Sequence, residues 1–65
     1  MFRELDRRVV GDDVIALFWD DERECAELVI DRAGETWTRV VPPHKVADAM
    51  RHPYVYVPKH AMAAA

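Results

Sequence analysis

Turn-forming clusters cut this chain at short, regular intervals: Gly11-Asp12-Asp13, Asp20-Asp21-Glu22-Arg23-Glu24, Asp31-Arg32-Ala33-Gly34-Glu35 and Pro42-Pro43. The segments between them run only six to nine residues, an ordinary strand length and too short for a helix to persist on its own. Glycine accepts a positive φ, aspartate side chains satisfy turn amides and proline ends a ladder, so consecutive hairpins are the expected outcome.

Four strands follow from this punctuation. The first spans about Phe2 to Val10 and carries Arg3, Glu4, Asp6, Arg7 and Arg8, charges that suit an edge strand. The second, Val14-Ile15-Ala16-Leu17-Phe18-Trp19, is apolar without alternation and belongs in the centre. Cys25 to Ile30 forms the third, and Thr36 to Val41, rich in β-branched and aromatic residues, forms the fourth. Gly34 occupies the position in the last hairpin turn that calls for a left-handed residue.

Beyond Pro42-Pro43 the pattern changes period. Val46, Ala49 and Met50 recur at three- and four-residue spacing, which predicts a short helix starting at the prolines and closed by Pro53. Tyr54-Val55-Tyr56-Val57, bracketed by Pro53 and Pro58, is expected to be extended. The fold class predicted is therefore α+β: a small antiparallel meander of three to four strands, with one C-terminal helix packed on one face. Residues 1–58 make a single domain, and 59–65, ending in alanines, a flexible tail.

A chain of 65 residues buries only about 60% of the surface its unfolded form exposes, and ordering it costs roughly 1.5 kcal/mol per residue. Small domains offset that cost with disulfides, metals or a second subunit. Cys25 is the one cysteine, and no Cys/His cluster has ligand spacing. Oligomerisation is the remaining device, and a homodimer is expected.

The strand faces point the same way. Setting Asp20 near Glu24 and Arg32 near Glu35 puts Val14, Ala16 and Phe18 on one face with Ala26, Leu28, Ile30, Trp37 and Val41, the expected seat of the helix. The other face then carries Ile15, Leu17 and Trp19 beside Cys25, Val29, Thr38 and Val40. One short helix covers one face, so either the Tyr54–Val57 segment or a second protein must cover the other. The partner-binding residues expected on this basis are Ile15, Leu17, Trp19, Val29, Val40, Tyr54 and Tyr56.

Candidate chemistry is sparse. His44, His52 and His60 are eight residues apart, whereas a metal pair on one helical face needs spacing of three or four; they read as capping or surface residues. Cys25 lies between Glu24 and Glu27, which disfavour a thiolate, and reads as a small apolar residue. Asp12-Asp13 and Asp20-Asp21-Glu22 lack the alternation and placed glycine of a calcium loop and read as turn and solubility residues. No phosphate loop, dinucleotide fingerprint, nucleophile elbow or zinc motif is present. Catalytic residues, cofactor and metal are each expected to be absent.

A net charge of −3 opposes general nucleic-acid binding, which needs a basic face to displace phosphate counterions. Trp19, Trp37, Phe18, Tyr54 and Tyr56 are candidates for a base-stacking platform, but they have little basic company beyond Arg39 and read as packing residues. No apolar run is long enough to span a bilayer, and a cytoplasmic location is expected.

The strand end Phe18-Trp19-Asp20, the hairpin Asp31-Arg32-Ala33-Gly34-Glu35 and the Pro42-Pro43-led helix ending in His52-Pro53-Tyr54-Val55-Tyr56 together resemble short proteins of actinobacteria and their phages, over roughly residues 5–56. Seven arginines against two lysines accord with a GC-rich genome. That resemblance implies a recurring small fold and carries no site residues with it. The functional expectation is a non-enzymatic interaction module, homodimerising or docking a larger partner. The alternative is an acidic regulator that occupies a basic site of another protein through Asp12, Asp13, Asp20, Asp21, Glu22, Glu24 and Glu27.

Overall fold

The computed structural model describes residues 1–58, so the tail expected at 59–65, with His60, lies outside the described residues. Four strands, β1 (Phe2–Val10), β2 (Asp13–Asp20), β3 (Cys25–Arg32) and β4 (Glu35–Val41), form one antiparallel sheet in the order β1-β2-β3-β4. A 3-10 turn (Pro43–Lys45) and two short helices, α1 (Val46–Arg51) and α2 (Pro53–Tyr56), complete the chain.

The turns account for the meander. Val10 pairs with Asp13 across a two-residue turn whose first residue, Gly11, has φ +60°, the position that a type II′ turn reserves for glycine. Arg32 pairs with Glu35 across Ala33 (φ 50°) and Gly34 (φ 85°), both left-handed as in a type I′ turn. Between β2 and β3 the loop is one residue longer than expected. Asp20 faces Cys25, because Glu24 turns left-handed (φ 51°) and belongs to the loop. The Asp20 carboxylate fixes that loop, accepting the backbone N–H groups of Glu22 at 3.0 Å and Arg23 at 3.4 Å.

That extra residue slips the β2–β3 register by one, and a slip of one exchanges the faces of a strand. Ile15 pairs with Ile30, Leu17 with Leu28 and Trp19 with Ala26, while β3–β4 pairs Ile30 with Trp37 and Ala26 with Val41. Ile15, Leu17 and Trp19 therefore share a face with Ala26, Leu28, Ile30, Trp37 and Val41. Ile15 and Leu17 are 0% exposed, so the expectation that they offer a contact surface is corrected. Val14, Ala16 and Phe18 lie on the opposite face with Cys25, Glu27, Val29, Thr38 and Val40.

The core consists of Ile15, Leu17, Ala26, Leu28, Ile30 and Val41 from the sheet, together with Ala49 and Val57. Trp19, Trp37, Val46, Met50, Tyr54 and Tyr56 pack against this cluster. The expected extended segment after Pro53 is instead helical. His52, at φ −132° and ψ 60°, breaks α1, and Pro53 is the first residue of α2, where its missing N–H costs nothing. This turn brings Tyr54 and Tyr56 back to the core.

Candidate functional site

Two features stand out: the Phe18 face of the sheet and an ionic cluster at one end of it. On the Phe18 face, β1 contributes Phe2, Glu4, Arg7 and Val9; β2 contributes Val14, Ala16 and Phe18; β3 contributes Cys25, Glu27, Val29 and Asp31; and β4 contributes Thr36, Thr38 and Val40. Phe2 is 54% and Val40 49% exposed; Val14, Phe18 and Val29 are half-buried. A shallow depression of about 260 Å³ lies among Phe2, Phe18, Glu27 and Val29.

A bulge shapes the margin of this face. Pairing shifts between Glu4 and Asp6, which places Glu4 and Arg7 on one side although strict alternation would separate them. Arg7 Nε then donates to Glu4 Oε1 at 2.7 Å. Asp31 is occupied as well, accepting the Thr36 hydroxyl at 2.5 Å. One charge lies within the face: Glu27, between Phe18 and Val40, its carboxylate 3.9 Å from Arg23 Nη2; around it the face is mostly apolar.

The ionic cluster joins Asp13, Arg32 and Tyr54. Asp13 and Arg32 are direct cross-strand partners; Nε of Arg32 donates to Oδ1 at 2.5 Å and Nη2 to Oδ2 at 2.9 Å. The Tyr54 hydroxyl also donates to Asp13 Oδ2. Asp13 raises the Arg32 guanidinium above its already high value, chiefly by accepting its hydrogen bonds. Burial, followed by the bond to Asp13, raises the Tyr54 phenol. Asp13 is buried, so the reading of it as a turn and solubility residue is corrected: it anchors α2 to the start of β2. A depression of about 280 Å³ lined by Val10, Gly11, Asp12, Asp13, Arg32 and Tyr54 lies beside it, but the bidentate pairing commits the guanidinium inward.

The other expected residues scatter. Of the seven expected contact residues, only Val29 and Val40 lie on the Phe18 face; Ile15, Leu17, Trp19, Tyr54 and Tyr56 belong to the core or pack on it. Val14, Ala16 and Phe18 are the residues of that face that the slipped register hid, and Phe2 joins them from β1. The aromatic side chains also divide between the faces, with Phe18 on one and Trp19 and Trp37 on the other, so they form no single stacking platform. His44 lies in the 3-10 turn and His52 between the helices, both exposed. Cys25 is half-buried at the start of β3.

Among the described residues, no group of three metal-ligating side chains converges, and no helix is long and apolar enough to cross a membrane. Comparison with protein-family models, curated proteins and solved structures finds no match for this chain.

Proposed function

We propose that the chain is a non-enzymatic, homotypic interaction module whose Phe18 face packs against the same face of a second copy. In this reading the C-terminal helical segment, through Val46, Ala49, Met50 and Tyr54, seats on the Ile15 face and leaves the other for the partner. The observation that carries it is the accessible apolar set Phe2, Val14, Phe18, Val29 and Val40 on one side of a sheet whose buried apolar core is thin. Two such faces stack as in a β-sandwich, about 10 Å apart, with side chains interdigitating.

A second copy is the natural occupant. A core this small needs a constant companion to offset its ordering entropy, and another copy of the chain is always present. Four strands about 4.8 Å apart, each about seven residues long at 3.3 Å per residue, give a face of roughly 450 Å² in plan. Side-chain relief increases this, but the contact stays at the small end for a stable dimer. The acidic-regulator reading ranks second, since four of its seven carboxylates, Asp13, Asp20, Glu22 and Glu27, have partners within the chain.

The test is mass by light scattering across a concentration series for the wild type and for Phe18→Asp. A Phe18→Asp protein that stays folded but falls to a smaller species supports this reading. An unchanged mass removes it.

A further inference from the structure

The sheet has two edges, and they are not alike. β1 has five charged residues in nine and a bulge at its centre, both of which discourage pairing with another strand. β4 has no bulge and only two charged residues in seven, Glu35 and Arg39. Its pairing with β3 is unbroken from Arg32–Glu35 to Ala26–Val41, it contains no proline, and the stretch Thr36-Trp37-Thr38 between its two charges is uncharged.

We propose that β4 pairs antiparallel with β4 of a second copy, about a twofold axis through Trp37. The stretch Glu35-Thr36-Trp37-Thr38-Arg39 is self-complementary about its centre. Reversed on itself, it sets Glu35 against the partner's Arg39 and Arg39 against the partner's Glu35. Thr36 meets the partner's Thr38, Thr38 meets the partner's Thr36, and Trp37 meets its own counterpart. An isologous contact requires this reciprocity, and each opposition is of a favourable cross-strand kind: opposite charges, threonine pairs and an aromatic pair.

The geometry within the chain is consistent with it. Glu35, Trp37 and Arg39 share the Ile15 face, while Thr36 and Thr38 share the other, and antiparallel pairing preserves those sides. Glu35 and Arg39 are exposed, and neither makes an ion pair among the described residues, so both charges are available to a partner strand. The product is a continuous eight-stranded sheet with the bulged, charged β1 strands at its ends. This edge contact is separate from face-to-face packing and does not depend on it. Where both operate, two such sheets stack into a tetramer.

The experiment is charge exchange in the Phe18→Asp background, which removes the face contact. In that background the chain should be a dimer of about 15 kDa, two chains of 7.5 kDa each. Adding Glu35→Arg or Arg39→Glu opposes like charges twice and should weaken pairing about tenfold or more. Mixing the Glu35→Arg and Arg39→Glu variants in equal amounts makes both oppositions unlike in charge again within the mixed dimer. The mixture should restore pairing, an outcome that a purely internal role for either residue does not produce. A monomeric Phe18→Asp protein, or single variants that pair as well as their parent, overturns the edge contact. Failure of the face contact is a different result: Phe18→Asp then has the wild-type mass. Should Phe18→Asp not fold, native mass spectrometry of the exchange variants in the unmodified chain gives the same reading. There the mixture should assemble beyond either variant alone, and equal assembly of all three overturns the proposal.

Discussion

Arg32 holds both carboxylate oxygens of its cross-strand neighbour Asp13, and the Tyr54 hydroxyl donates to the same carboxylate, so one buried charge ties the first hairpin, the second hairpin and α2 together. Removing it leaves a guanidinium whose side chain is 32% exposed and partly rescued by water. Asp13→Ala should therefore cost about 2–3 kcal/mol, below the full penalty for breaking a buried pair. Tyr54→Phe, which deletes one hydrogen bond, should cost about 1 kcal/mol. Urea denaturation midpoints measure both, and Asp13→Ala must be the more damaging.

The two tyrosines give stability an alkaline limit. Both phenols are raised above 10.0, Tyr54 by burial and then its bond to Asp13, Tyr56 by its bond to Asp48 and then burial. Unfolded, each ionises near pH 10, so above that pH the folded chain binds more protons than the unfolded one and stability falls. Their contribution is whole below about pH 10 and is lost as pH rises through the folded values. Denaturation midpoints measured from pH 8 upward should decline above about pH 10, and less steeply in Tyr54→Phe. An identical decline in that variant would assign the effect elsewhere.

Ala33 adopts φ 50° beside Gly34, although a residue with a Cβ pays roughly 1–2 kcal/mol in that region. Asparagine tolerates it and favours this turn when followed by glycine. Ala33→Asn should stabilise the domain by about 0.5–1 kcal/mol and raise Tm by roughly 2–8 °C. Thermal unfolding followed by circular dichroism decides it.

Leu17 and Phe18 are neighbours on opposite sides of β2, and their substitutions should fail differently. Leu17→Ala opens a cavity in the core and should cost about 2–5 kcal/mol, with assembly lost only as the fold is lost. Phe18→Asp should retain the fold and reduce the mass. Trp19→Ala should follow Leu17→Ala, because Trp19 packs on the core. A Trp19→Ala chain that is fully stable but dissociated would reverse that assignment.

What the sequence made legible was punctuation. Glycine and aspartate at Gly11-Asp12-Asp13 and glycine at Gly34 mark turns by their backbone chemistry, so strand number, order and the β3–β4 register could be read directly. Register between β2 and β3 could not, because residues 14–19 are apolar on both sides and give no clue to which faces in. Only the left-handed Glu24 sets the loop length. The side facing solvent had one local sign, Glu27, which lies opposite Phe18 and Val40. Asp13 was obscured by Asp12, since two adjacent aspartates in a turn look alike until one meets Arg32. Pro53 marks a stop in the sequence pattern, yet a proline that ends one helix is equally suited to begin the next.

The meander has a consequence for how the chain is made. Each strand pairs with its neighbour in sequence, so loop closure is short at every step and contact order is low for a β protein, which favours rapid folding. Hairpins can close one after another as they leave the ribosome. The residues that contribute Ala49 and Val57 to the core follow all four strands in sequence, so the hairpins form before those two side chains are available to Ile15, Leu17 and Leu28.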